Sequence, residues 1–182
     1  SVRVPIVPQA ILFDLENHPA KSWHNRTPYW KLGFDAASST SKTFSLGNVG
    51  AGLGAKAGSI KGGLGSSSFF IKELGLTVGA LVAVNSAGNV LYPKTRAFYA
   101  WDTELNNEFG GVHPPEDINK ETVQLPKNTS LGQNTTLAVI GTDAKLTKSQ
   151  ARRLAIIAQD GLGRAIRPAH TPLDGDTVFT MA

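Results

Sequence analysis

The chain has no cysteine, which removes disulfide bonds, thiolate metal sites and a cysteine nucleophile from consideration. Charged residues are sparse, at 18% of 182 positions, against 41% hydrophobic residues. That balance excludes disorder and supplies enough apolar material for one globular core. Long apolar runs are missing too: residues 80–84 form one of the longest, far below the roughly 18 residues of a membrane span. The start of the chain lacks the basic-then-apolar layout of a secretion signal, so the expectation is a soluble, cytoplasmic protein. Neither a GxSxG nucleophile elbow nor a GxGxxG or GxxxxGK[ST] phosphate loop occurs. His18, His24, His113 and His170 show no metal-ligand spacing, so surface or capping roles fit them better. No cofactor, metal, nucleic-acid or membrane partner is expected. The net charge of +4 is modest. Its main cluster, Lys145, Lys148, Arg152, Arg153, Arg164 and Arg167, reads as the solvated face of one helix.

What is present reads as a single domain over residues 1–182. Residues 7–15 (VPQAILFDL) predict an extended segment set by Pro5 and Pro8, then a short buried strand ending near Asp14. Residues 16–43 predict a loop outside the sheet with a short helix around 30–37. The glycine-dense stretch 47–65 signals backbone that passes close to something or takes positive φ. Residues 67–72 and 76–84 flank residues 73–75 as a hairpin, and residues 85–89 turn the chain into a strand at 90–92, an antiparallel arrangement. Residues 93–130, polar and without a sustained period, predict a long exposed connection.

A further strand is expected at 136–142. The tetrapeptide Thr147-Lys148-Ser149-Gln150 then fits a capping box, after which Ala151, Leu154, Ala155, Ala158, Leu162 and Ile166 recur on one helical face. Gly161 and Gly163 either weaken the last turns or mark close packing, and Pro168 stops the helix. Asp174-Gly175-Asp176 opens a last strand at 177–181.

The chemistry centres on Asn134-Thr135-Thr136, directly before the apolar run 137–140. If the backbone is cut between Asn134 and Thr135, one residue supplies both an attacking hydroxyl and, through its freed amine, the base that activates it. Such an amine has a pKa of about 7.7 to 8 and accepts the hydroxyl proton near neutrality without a histidine. The alternative reading is an asparagine turn followed by strand-favouring threonines. Asp174 and Asp176 place two carboxylates at one strand start around a glycine; DGD is equally a common turn, and it lacks the further oxygen ligands of a calcium loop.

Taken together, the run from Asn134 to Phe179, with VPQAILFDL, GNVGAGLGAKAG, KGGLGSSS and LVAVNSAGNV upstream in the same order, closely resembles the DmpA-type aminopeptidase family. That family includes β-peptidyl aminopeptidases and nylon-oligomer hydrolases. The resemblance implies an α+β, αββα four-layer sandwich, here truncated at both ends, and an N-terminal-nucleophile hydrolase of short peptides or 6-aminohexanoate oligomers. It implies self-cleavage between Asn134 and Thr135, giving residues 1–134 and 135–182, with Thr135 as nucleophile. Asn85 would hydrogen-bond the nucleophile or the oxyanion, and Asp174 and Asp176 would orient the nucleophile and assist the cut. The partners it implies are a small peptide or oligoamide substrate and copies of the chain in a tetramer.

Two positions depart from the nylon-hydrolase branch. Phe13 stands where that branch has a tyrosine, so oxyanion stabilisation must come from elsewhere, such as backbone amides. Ser59 occupies the place of a lysine, for which Lys61, ahead of Lys56, is the substitute. Acyl transfer of the ornithine acetyltransferase type and a non-catalytic binding module are the rival readings.

Overall fold

The computed structural model describes residues 4–17, 27–118 and 132–182. Its centre is a sheet of four strands, Gly63–Ile71, Leu76–Asn85, Thr135–Thr142 and Thr177–Met181, lying side by side in chain order. The expected hairpin forms its first half: β3 (Gly63–Ile71) runs antiparallel to β4 (Leu76–Asn85) through a tight turn with Gly75 at φ +61°. β3 begins four residues earlier than the side-chain alternation suggests, because the glycines at its start pair with the backbone of Val84 and Val82. β5 (Thr135–Thr142) continues the antiparallel pattern beside β4. β6 (Thr177–Met181) then lies parallel to β5, so the sheet is mixed rather than wholly antiparallel. A parallel neighbour demands a crossover, which the helix between β5 and β6 supplies.

That helix, α2 (Lys148–Ala165), starts where the sequence marks it. The Thr147 hydroxyl accepts from the Gln150 amide, and the Gln150 side chain accepts from the Thr147 amide. Such a cap contributes about 1 kcal/mol. Leu162 and Ile166 are buried and Ala151, Leu154, Ala155 and Ala158 are half-buried along the stripe that leans on β6, whereas Ile156 and Ile157 point outward. No Cβ added at Gly161 or Gly163 would meet a neighbouring atom within 4 Å, so these glycines weaken the helix rather than admit a close partner.

The sheet is unequally covered. Residues 136, 138 and 140 of β5 share one face and are buried, while Leu137 and Val139 on the opposite face are only half-covered. The short 3-10 turn Gly50–Gly52 packs on β3 and β4. β1 (Lys56–Ala57) and β2 (Ile60–Lys61) form a two-residue antiparallel ribbon within the glycine-dense stretch. α1 (Tyr29–Ser38) stands outside the sheet, as expected, with no buried residue.

Three expectations are corrected. Residues 4–14 form no strand, and Val4, Ile6, Val7 and Ile11 are exposed; Pro5 and Pro8 lack amide donors, and the only regular element is a short 3-10 turn, Leu15–Asn17. Residues 90–92 form no strand; Leu91 makes a single isolated bridge, to Phe98. The supposed exposed connection also builds its own small core. Tyr92, Ala97 and Tyr99 are buried, with Trp101, Val112 and Ile118 against them, and the His113 ring lies tilted against Trp101, 4.6 Å between ring centres. Aromatic contacts between residues close in sequence hold this unit together without the period of a helix or strand. The remainder of that expected connection, residues 119–130, lies outside the described residues, as do His18 and His24.

Candidate functional site

Asn85 ends β4 and Thr135 begins β5, and the ladder places them directly opposite one another. Both are buried, at 1% and 4% exposure, although both are polar. Buried polar groups require partners, and the partners found here come from residues 13, 56, 133 and 134.

The Asn85 side chain joins three of them. Its Nδ2 donates to the carbonyl oxygens of Phe13 at 2.8 Å and Gln133 at 3.4 Å, and its Oδ1 accepts the Lys56 amide at 2.9 Å. The expected bond from Asn85 to the threonine hydroxyl is not the one made; its amide instead fastens the segment just before the 134/135 junction. Position 13 takes part through its carbonyl, for which the aromatic side chain is immaterial.

The loop after β4 is clamped from two sides. The ribbon of β1 and β2 reaches it through the Gly58 amide on the Ser86 carbonyl and through the Ser59 amide and hydroxyl on Asn89 Oδ1, at 3.0 and 2.9 Å. Gly58 sits at φ +57°, and a Cβ there would collide with the Asn89 side-chain amide, so both conformation and space require glycine. From the other side, Asn89 and Arg167 exchange backbone hydrogen bonds. The Arg167 guanidinium lies over the Tyr99 ring at 4.6 Å and nearer Tyr99 than Tyr92. Burial raises the Tyr99 hydroxyl above the usual tyrosine range; Arg167 opposes that rise and Tyr92 adds to it.

The two aspartates of the DGD turn serve different segments. Asp174 Oδ1 accepts the Ala87 amide at 2.9 Å, and its Oδ2 accepts the hydroxyl and amide of Thr171. Asp176 Oδ1 accepts the Thr136 amide at 2.6 Å, and its Oδ2 meets His170 Nδ1 at 2.8 Å. His170 therefore belongs to the site, not to a bare surface or cap. The sequence signal available for it was proximity to DGD in the same turn.

The glycine between the aspartates completes the arrangement. Its amide donates to the Asn134 carbonyl oxygen at 2.9 Å, and the Thr135 hydroxyl donates to that same oxygen at 2.5 Å. A Cβ on Gly175 would stand 3.2 Å from Thr135 Oγ1, so the side-chain-free turn lets the hydroxyl and the peptide carbonyl share one small space. A peptide carbonyl polarised by a backbone amide, with a hydroxyl beside it, is suited to acyl transfer onto that hydroxyl. Asn134 Nδ2 and Thr136 Oγ1 are buried without a hydrogen-bond partner among the described residues.

The structure thus brings together Asn85, Asn134, Thr135, Asp174 and Asp176. It does not bring the Lys61 ammonium into this network. Lys61 is exposed on β2 opposite Lys56, and Lys56 reaches Asn85 only through its backbone amide. Among the described residues no group of three or more His, Cys, Asp or Glu side chains is placed to hold a metal ion, and no helix is long and apolar enough to cross a membrane.

Comparison with known proteins places the chain in a family. The model of Peptidase family S58 matches residues 1–182, and the chain belongs to that family. An uncharacterized aminopeptidase of Mycobacterium tuberculosis is 45% identical over 184 residues, covering 98% of this chain and 51% of the relative. The β-peptidyl aminopeptidase BapA of Sphingosinicella microcystinivorans is 33% identical over 65% of this chain and 29% of its own length. A 6-aminohexanoate-oligomer endohydrolase of Kocuria sp. is 28% identical over 76% of this chain and 39% of its own length. The chain spans about half the length of the mycobacterial relative.

Among solved structures, the PH0078 protein from Pyrococcus horikoshii OT3 superposes with a TM-score of 0.54 at 29% identity, over 81% of this chain and 35% of that one. The L-aminopeptidase D-Ala-esterase/amidase of Ochrobactrum anthropi, described as a variant of the Ntn hydrolase fold, gives 0.50 at 26% identity, over 78% of this chain and 33% of that one. The mixed α/β sheet is thus similar to part of an Ntn hydrolase.

Proposed function

We propose that this chain carries the nucleophile and scissile junction of a self-cleaving N-terminal-threonine amide hydrolase. The observation that supports this best is the Asn134 carbonyl oxygen, held between the Gly175 amide and the Thr135 hydroxyl. Thr135 Oγ attacks the Asn134 carbonyl carbon, and the negative charge that develops on its oxygen is met by the Gly175 amide. The carbon–nitrogen bond breaks as the Thr135 nitrogen takes the proton, leaving an ester between Asn134 and the Thr135 side chain. Water hydrolyses that ester to a carboxylate on Asn134 and a free amine and hydroxyl on Thr135.

The same residue then works on substrate. Its amine takes the hydroxyl proton as Oγ attacks a substrate amide; the acyl-enzyme forms with release of an amine, and water frees the acid. Asp174 and Asp176 hold the loop after β4 and the start of β5 on either side of the nucleophile. Asn85 holds residues 13, 56 and 133 around it.

Short peptides with a free amino end are the proposed substrates, a reading supported by the aminopeptidase relatives. Release of p-nitroaniline from amino-acid p-nitroanilides, compared with hydrolysis of 6-aminohexanoate oligomers, tests that choice. A second sheet over the half-covered Leu137 and Val139 face would give the four-layer αββα sandwich. A homotetramer completes the proposal, on the strength of the family resemblance, and light scattering tests it.

Denaturing mass spectrometry of the purified full-length protein tests the central step. Two fragments dividing between Asn134 and Thr135 are expected, with a single intact mass for Thr135→Ala. An intact mass for the natural sequence overturns the proposal.

A further inference from the structure

We propose that His170 is a positioning residue for the 134/135 junction, acting through Asp176; the inference rests on the self-cleavage reading above and extends it. Asp176 is 6% exposed at its side chain and divides its two oxygens between two donors: Oδ1 takes the Thr136 amide at 2.6 Å and Oδ2 faces His170 Nδ1 at 2.8 Å. An ionised carboxylate only accepts hydrogen bonds, so the imidazole presents its N–H at Nδ1.

The Thr136 amide shares a rigid peptide plane with the Thr135 carbonyl. Whatever fixes that amide therefore fixes the backbone from which the Thr135 hydroxyl projects. Asp176 supplies the fixed acceptor, and His170 stops the carboxylate from turning about its own side-chain bonds. Asp174 needs no such support, since its oxygens are already taken by Ala87 and Thr171. His170 is itself held in the left-handed region, at φ +55°, which is uncommon for a residue other than glycine. That backbone turn aims the ring from a partly exposed position at a nearly buried carboxylate.

The test separates the ring's hydrogen bond from the backbone's preference. His170→Gly keeps the left-handed turn accessible and removes the ring. His170→Asn tolerates the same turn and can place an amide donor near the position of Nδ1.

In a time course of self-cleavage of the full-length protein, followed by denaturing mass spectrometry, the glycine variant is expected to be roughly tenfold slower or more. The asparagine variant should stay within about threefold of the natural sequence, and added imidazole should restore part of the glycine variant's rate. If the glycine variant fails to fold, His170→Phe, which keeps the ring's bulk without its nitrogens, takes its place as the slow variant. A deletion variant that cleaves at the natural rate overturns the proposal. So does an asparagine variant as slow as glycine together with no effect of imidazole. An uncut natural sequence overturns the self-cleavage reading and this one with it, whereas a cut natural sequence with an equally fast deletion variant overturns this one alone.

Discussion

The Gly175 amide and the Thr135 hydroxyl meet on a single acceptor, the Asn134 carbonyl oxygen, at 2.9 and 2.5 Å. A turn residue more than forty positions downstream thereby reaches the peptide bond that precedes the candidate nucleophile. The isolated parallel bridge between Asn134 and Asp174, beside the β5 and β6 ladder, is what brings the two segments together.

Gly175→Ala puts a methyl group 3.2 Å from Thr135 Oγ1, a contact close enough that the hydroxyl or the turn must yield by a few tenths of an ångström. Displacements on that scale in a reacting pair are costly, so self-cleavage should slow by about tenfold or more. The unfolding midpoint should change little. A time course of fragment appearance checks the first expectation and urea denaturation the second.

Asn85→Asp replaces the donor that faces the Phe13 and Gln133 carbonyls with an oxygen, or places a charge in a fully buried position. An ionised carboxylate cannot donate to those carbonyl oxygens, and a protonated one donates a single bond where the amide makes two. The expected destabilisation is about 3 kcal/mol or more, against about 1 to 3 kcal/mol for Asn85→Ala. Comparing the urea unfolding of the two variants decides whether aspartate is the worse replacement, as the donor pattern requires.

Glycine replacements should split by position. Gly58→Ala meets both a left-handed backbone and the Asn89 side chain, and a loss of at least about 2 kcal/mol is expected. Gly161→Ala and Gly163→Ala sit in α2 with open space around them. Each should stabilise by about 0.5 to 1 kcal/mol. Thermal unfolding of the three single variants measures all of these.

Tyr99 should ionise above the usual tyrosine range in an ultraviolet titration, because burial disfavours the phenolate. Arg167 lowers that value, so Arg167→Leu should push it further up. The sign for stability follows from the raised folded value. The folded state holds the proton more tightly, so the contribution is intact below the unfolded tyrosine value near 10 and is lost as pH rises from there through the folded value.

Parts of this protein are written locally. The Thr147 and Gln150 capping box starts α2, the 73–75 turn makes a hairpin of β3 and β4, and β6 spans the residues its side-chain pattern indicates. Those signals act between residues a few positions apart, so they can be read along the chain. The side-chain pattern of residues 7–15 is equally local, yet a strand needs a neighbouring strand to pair with, and among the described residues none pairs with it. The family resemblance in the sequence also marked Asn134, Thr135, Asn85, Asp174 and Asp176 as belonging together. It could not say who bonds to whom.

That was decided by the tertiary structure. Asn85 bonds to a carbonyl 72 positions away and Asp176 to an amide 40 positions away. Such pairings depend on the register of β4 on β5 and on the parallel seating of β6, where a shift of one residue would turn every side chain to the other face. The same seating drew His170 into the site, while Lys61, on the separate ribbon of β1 and β2, stays outside its network. By itself the sequence determined which chemical groups are available. The sheet register determined which atoms face one another, because hydrogen bonds act over about 3 Å and only the folded chain fixes positions on that scale.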